Sequence, residues 1–331
     1  MSDMNVGLIG CGVMGGSLAG ALEQVEQAAL VAVFDPDAEA ARQVAAERGV
    51  QAESALETML SREDIRGVII AAPPFLHREL CVAASEAGKH VFVEKPLAPT
   101  VADCDEIIAA AERAGVKLMV GQVCRYHAIH GGVKRIVDSG DVGDPIFMQV
   151  ARTGGPWSGV WAKSWRASRE KSGGILMEIN AHEIDFMLYV CGKATSVFAS
   201  GGRYVSTDLD YPDVAAVTLQ FESGATGFLH SSMASALGGY GGHLDGTEGA
   251  IRFPALFMED PEVKLKRFDG EQETRPLQDP GNPVAAELAA WVGAVLNDHE
   301  PEVTGMDGRA VVEVAEAAYE SIESGRPVTI G

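Results

Sequence analysis

Val6-Gly7-Leu8-Ile9-Gly10-Cys11-Gly12-Val13-Met14-Gly15 is the stretch that decides the fold. Four residues of strand character run into G-x-G-x-x-G, and the Leu/Ala-rich segment behind it has the composition of a helix. Glycines at Gly10, Gly12 and Gly15 allow a tight turn, a close approach of a pyrophosphate to the backbone, and close helix packing. The helix amino terminus adds N–H groups and positive dipole, so Val13 and Met14 join the glycines as cofactor-binding candidates. Alone, this hexapeptide decides little. Asp35 gives it weight, because it stands 20 residues after Gly15 at the end of the next apolar run. A carboxylate there accepts hydrogen bonds from both ribose hydroxyls, and Asp35-Pro36-Asp37 sets two carboxylates where a 2′-phosphate would lie. NAD is expected over NADP.

Further apolar runs rich in β-branched residues follow: Leu30 to Phe34, Gly67 to Ala71, His90 to Val93 and Lys117 to Val120. Helical spacing fills the intervals at Ala38 to Arg48, Leu76 to Ala87 and Val101 to Ala114. Strands of continuous apolar character alternating with helices predict an α/β fold, a doubly wound parallel sheet covered on both faces. Ser54 with Glu57 has capping-box spacing, Thr100 can cap the next helix, and Gly49, Gly88 and Gly115 stand where helices should stop.

The 331 residues are enough for two domains, and 47% apolar with 22% charged residues is ordinary globular usage. A net charge of −21 repels phosphate backbones and anionic lipid, so neither nucleic acid nor membrane is an expected partner. No apolar run approaches the ~20 residues that span a bilayer, and the amino terminus enters a strand-like segment without a basic start; a cytoplasmic protein is expected. Five scattered cysteines (Cys11, Cys81, Cys104, Cys124, Cys191) lack any C-x-x-C and read as small core residues.

Two groups carry chemistry beyond the cofactor motif. Glu94-Lys95-Pro96 ends the fourth long strand, where loops of a doubly wound sheet face the ligand crevice, so Lys95 is either directed at the nicotinamide end or is a solvated strand-end lysine. The segment Ser172 to Leu188 reads as a glycine turn opening one helix, on which Glu178, His182 and Asp185 at i, i+4 and i+7 share a stripe. A carboxylate one turn from an imidazole suits a general base; the same residues also suit an ordinary polar face. One histidine without a third strong ligand does not make a metal site.

The cofactor motif, Ala72-Pro73-Pro74-Phe75-Leu76-His77, Ala87 to Ala98 with its Glu94-Lys95-Pro96, and the Gly-Gly-x-Leu-x-x-x-x-His-x-x-Asp segment resemble the Gfo/Idh/MocA family of glucose-fructose oxidoreductase and inositol dehydrogenase. Trp165-Arg166 and Gly246 to Ile251 extend the resemblance nearly end to end. It implies a Rossmann domain (1–123) and a substrate-binding and oligomerisation α/β domain (124–331) on a large, mostly antiparallel open sheet, with the last helices free to pack back on the first domain. By position, Lys95, His182 and Glu178 become the catalytic candidates. In family terms His182 accepts the hydroxyl proton, Lys95 stabilises the oxygen and Glu178 positions the substrate. Pro73, Pro74, His77, Glu94 and Gln122 join the cofactor candidates, and Arg125, Tyr126, Trp165, Arg166 and Asp185 the substrate candidates. Many members carry Asp at the position of Glu178 and Gly at that of Asn180. The implied activity is NAD-dependent hydride transfer at a secondary hydroxyl of a sugar, sugar derivative or cyclitol, in a homo-oligomer (dimer or tetramer). An NAD-retaining glycoside-cleaving enzyme that uses transient oxidation, and a non-catalytic nucleotide-sensing regulator, stay open.

In the second half, Ile146 to Ala151, Thr195 to Ser200, Val214 to Phe221, Ala225 to Ser232 and Val263 to Phe268 read as strands, with a hairpin turn at Phe221-Glu222-Ser223-Gly224-Ala225. Helices are expected near Val284 to Leu296 and Met306 to Ser321. His127 and His130 read as solvated or packed. Three tryptophans in Gly154 to Arg166 offer either a sugar-stacking substrate wall or, for Trp165 alone, packing against the core. Gly238-Gly239-Tyr240-Gly241-Gly242-His243 reads as a flexible segment able to close over a site.

Overall fold

The structure, a computed structural model, describes residues 3–255 and 258–331. In chain order the first elements are β1 (Met4–Ile9), α1 (Val13–Leu22), β2 (Ala28–Phe34), α2 (Ala38–Arg48), β3 (Gln51–Ala52), α3 (Leu56–Leu60), β4 (Gly67–Ile70), α4 (His77–Glu86), β5 (His90–Glu94), α5 (Val101–Ala114) and β6 (Leu118–Gly121). Then come α6 (Ala128–Asp138), β7 (Pro145–Thr153), α7 (Arg169–Ser172), α8 (Ile175–Glu178), α9 (Ala181–Cys191), β8 (Ala194–Gly202), β9 (Val214–Phe221) and β10 (Thr226–Ser232). The remainder is β11 (Gly239–Gly246), β12 (Gly249–Phe253), β13 (Glu262–Arg267), β14 (Glu273–Pro276), α10 (Pro283–Leu296), α11 (Gly305–Ser324) and β15 (Val328–Thr329).

The chain divides into two compact units, one running through Gln122 and taking in Asn282–Ala310, the other Val123–Gly281 with Val311–Gly331. Asn282–Ala310 thus lies with the first unit, in line with the allowance that late helices pack back on it, and the second unit is discontinuous. Residues 282–310 join the first unit because α10 brings the fully buried Trp291 against Phe92 of β5, ring centroids 5.9 Å apart.

The first unit is a six-stranded parallel sheet in the order β3-β2-β1-β4-β5-β6, the doubly wound arrangement. Every residue of β4 and β6 is buried, as strands covered on both faces require. Thr100 caps α5 by accepting the Asp103 N–H, and Gly49 and Gly115 end α2 and α5 in the left-handed conformation. The Ser54 capping box does not form: α3 begins after Ala55 without a side-chain cap, whereas Asp37 caps α2 by accepting from Glu39 and Ala40.

The second unit carries a nine-stranded sheet, β14-β13-β12-β11-β7-β10-β9-β8-β15, antiparallel except where β7 and β10 run parallel. In β9, buried Ala215, Val217, Leu219 and Phe221 alternate with more open Val214, Ala216, Thr218 and Gln220, so one face packs and the other does not. The glycine-rich segment at 238–243 is not a lid. It is mostly β11, paired with β7 on one side and β12 on the other; at Gly242 a Cβ would lie 2.1 Å from the Phe253 ring, so glycine is what lets that ring close against the strand. All five cysteines are buried and unbridged.

Candidate active site

In the first unit the glycine turn is built for close approach. Gly10 has φ +98°, and a Cβ there would sit 2.7 Å from the Ala71 carbonyl oxygen; at Gly15 it would sit 1.9 Å from that of Gly10. At Gly12 the space a Cβ would take is open, and no side chain caps α1, so its first N–H groups face that space unclaimed by a cap. Val13 is exposed and Met14 half-buried beside it. Asp35 reaches into the turn: Oδ2 accepts the Cys11 N–H at 2.7 Å and Oδ1 the Asp37 N–H at 2.8 Å. Burial and the Asp35 charge together push the Cys11 thiol up to about 12, so it is an unreactive neighbour.

The far end of the same sheet edge holds Glu94, Lys95 and Gln122. Glu94 pairs with Gly121 in the β5–β6 register, which puts Gln122 next in line beside the Lys95 turn. Gln122 is 1% exposed, and neither atom of its carboxamide has a hydrogen-bond partner among the described residues. A buried amide with both ends unsatisfied suits a ligand that offers a donor and an acceptor, as a nicotinamide carboxamide does. Together with the open glycine cradle and the Asp35 acceptor, the residues fit NAD. Glu94 Oε2 accepts the Lys95 backbone N–H at 3.1 Å, and the Lys95–Pro96 peptide is cis. On α10, burial and the neighbouring Glu94 push the Glu287 carboxyl well up, favouring its protonated form. Pro73 and Pro74 lie at the end of β4, half-buried and buried. His77 is fully buried, with both ring nitrogens within hydrogen-bond distance of backbone carbonyls of Ala72 and Pro96.

In the second unit the expected single helix is broken. α8 ends at Glu178 and α9 starts at Ala181; the Asn180 N–H reaches back to the Ile175 carbonyl, a wider step than the α-helical one, and Asn180 has φ −90° and ψ 6°. Glu178, His182 and Asp185 therefore do not form one stripe, and each carboxylate is claimed by a guanidinium. Arg125 donates through Nε and Nη2 to both Asp185 oxygens, at 2.8 and 2.6 Å. Arg166 donates through Nε to Glu178 at 2.7 Å. Its guanidinium also lies over the rings of Trp157, Trp161 and Trp165, at 5.3, 5.2 and 4.2 Å. The three indoles gather on Arg166, and Trp157 further donates to the Tyr211 hydroxyl at 3.0 Å. Tyr126 is half-buried in the turn after Val123, and His182 is half-buried at the start of α9.

Sequence reasoning missed the bond that organises the helix break. Asn180 donates to Glu183 at 2.8 Å and accepts from Ser231 on β10 at 2.5 Å, while Arg152 of β7 donates to the other Glu183 oxygen at 3.1 Å. All but half-buried Arg152 are buried, a satisfied network directly beneath His182 in sequence. The asparagine where glycine is usual was its one visible sign. His130 is packed, as one of its readings had it: its ring meets Phe186 edge-on at 4.1 Å and the Tyr240 hydroxyl at 2.8 Å, and burial pushes its imidazole down to about 3.

Comparison with known proteins gives the family. Residues 4–122 match an oxidoreductase family with an NAD-binding Rossmann fold, and residues 131–252 match the GFO/IDH/MocA C-terminal domain. The chain is 32% identical over 280 residues to 2,7-anhydro-N-acetylneuraminate hydratase of Mediterraneibacter gnavus, covering 82% of this chain and 72% of that one. It is 30% identical over 319 residues to the NAD-dependent scyllo-inositol 2-dehydrogenase of Bacillus subtilis, covering 92% and 90%. Aldose-aldose oxidoreductase from Caulobacter crescentus, solved with glycerol, superposes with a TM-score of 0.90 at 26% identity over 99% of this chain and 100% of that one. A doubly wound NAD-binding sheet and a mixed nine-stranded sheet, matched by both family domains, place this chain in the Gfo/Idh/MocA family of oxidoreductases.

Proposed function

We propose that the protein oxidises a secondary hydroxyl of a neutral sugar or cyclitol with NAD. The observation that carries the reading is the glycine cradle with the Asp35 carboxylate drawn into it, an acceptor for ribose hydroxyls and a repellent for a 2′-phosphate. Bound NAD supplies the hydride acceptor. His182 takes the hydroxyl proton, and the Lys95 ammonium hydrogen-bonds the same oxygen as charge develops on it. Glu178, held by Arg166, positions the substrate. A neutral substrate fits the charge balance, since Arg125, Arg152 and Arg166 each carry their own carboxylate, and a chain of net charge −21 repels anions at a distance.

The test is reduced-nicotinamide absorbance with NAD or NADP across neutral cyclitols, aldoses and glycosides beside uronic and sialic acids. The expected result is a signal with NAD and a neutral polyol, with kcat/KM flat between low and moderate salt. A uronate turned over tenfold faster than every neutral compound would sink the substrate class, and NADP equal to NAD would sink the cofactor preference. Replacing Asp35 by Ser should move the NAD/NADP ratio roughly tenfold to a hundredfold toward NADP, the size of a lost pair of hydrogen bonds to a charged acceptor.

A second reading is favoured by the hydratase among the relatives, since hydration changes no net oxidation state. In this reading the present protein keeps its NAD bound and oxidises a hydroxyl only transiently. Protein that holds NAD, stays silent in the absorbance assay and consumes an unsaturated or anhydro sugar would support it.

A further inference from the structure

The Ala72-Pro73-Pro74 loop and the turn after Lys95 belong to different crossovers of the first sheet, and one imidazole joins them. His77 is 0% exposed at the first position of α4. Its Nδ1 lies 2.9 Å from the Pro96 carbonyl oxygen and 3.3 Å from that of Leu97, and its Nε2 lies 2.8 Å from the Ala72 carbonyl oxygen. Every one of these partners is an acceptor only. A neutral imidazole has one N–H and one lone pair, so in either tautomer a nitrogen lone pair would point at a carbonyl oxygen closer than their van der Waals contact. Two protons remove the conflict.

We propose that His77 is a doubly protonated, buried imidazolium that clamps the Ala72–Pro74 loop to the Lys95–Pro96–Leu97 turn, and so positions Lys95. Charge-assisted bonds to three carbonyls are short and strong in a dry interior, which favours this state; full burial, which holds His130 neutral, and the positive end of α4 oppose it, so the proposal stands on the acceptor geometry at both ring nitrogens. The charged groups on the surrounding elements are Arg78, Glu79 and Glu86 on α4, Glu94 and Lys95 at the end of β5, Asp103, Asp105, Glu106, Glu112 and Arg113 on α5, and, on α11 where Gly308 lies against Leu97, Asp307 and Arg309. Arg78 is already engaged by Asp103 and Glu106. Lysine or glutamine cannot reproduce the device, because neither offers two N–H groups on opposite edges of a rigid ring. That His77 is a positioning residue for Lys95 rests on the proposed role of Lys95; its protonation does not.

Nitrogen-15 spectra of the histidine ring in the apo protein test the charge directly, with His77 assigned by through-bond correlation so that no variant is needed. Both ring nitrogens should show attached protons and imidazolium shifts at pH 7, where a solvent-exposed histidine has lost one. A single-proton tautomer with one lone-pair nitrogen at pH 7 overturns the proposal, whatever the enzyme assay reads. For the positioning role, His77→Gln should weaken NAD binding by about tenfold and lower kcat as well, with the fold retained by circular dichroism. Unchanged kcat with imidazolium shifts present would confine His77 to structure and overturn the link to Lys95. If His77→Gln does not fold, His77→Asn, which keeps one N–H toward Pro96, takes its place with the same two outcomes.

Discussion

Alanine at Lys95 and alanine at His182 are each expected to lower turnover by roughly a hundredfold or more, with NAD binding changed only a few-fold. On the roles proposed for them, the two substitutions remove different things. Without His182 the hydroxyl proton has no positioned acceptor, so the loss should fall on kcat and be partly recovered at high pH, where hydroxide substitutes for the base. Without Lys95 the developing negative charge on oxygen loses its donor, and raising the pH should not restore the rate. His182 stands on α9, whose start is set by Asn180 bridging Glu183 and Ser231. Truncating the half-exposed imidazole should leave that network and the melting temperature in place. Single-turnover absorbance at saturating substrate separates the effects, and near-normal rates in both variants would take the pair out of the chemistry.

The first sheet was legible because each of its signals is local. A glycine turn, an acidic residue one strand later and apolar runs between helical spacings fix a parallel sheet without any long-range contact, and α2 and α5 fall on the residues their spacing predicts. Two failures share one physical origin. The segment at 238–243 looked mobile because glycine adds flexibility in isolation; in place, Gly242 is what lets the Phe253 ring sit against β11. Glu178, His182 and Asp185 looked like one helical stripe because helical spacing was assumed to continue; a buried asparagine bonded to a strand 51 residues away ends it. Tertiary partners override local propensity in both. The pairing of Arg125 with Asp185 and of Arg166 with Glu178 was equally hidden, since spacing shows which residues are charged but not which ones neutralise each other.

Replacing Trp291 by alanine should cost about 3–5 kcal/mol, the largest single loss of stability expected in the first unit. The ring is 0% exposed, tilted at 57° to Phe92, and lies so close to β4 that a Cβ on Gly67 would come within 2.9 Å of it. The glycine in a buried strand and the tryptophan on a helix more than 200 residues later are therefore one arrangement. For a unit of this size the melting transition should fall by about 10 °C or more, out of a total stability of only ~5–15 kcal/mol. Phenylalanine should cost much less, because the indole N–H is buried with no acceptor among the described residues and its removal relieves an unsatisfied donor. Saturating NAD should return part of the loss, about 2.7 kcal/mol at a hundred times Kd, if α10 completes the nucleotide-binding unit and is not a separate appendage. A melting temperature within 2 °C of the parent would mean that residues 282–310 contribute little to the core of the Rossmann unit, and the division of the chain would have to be redrawn at Gln122.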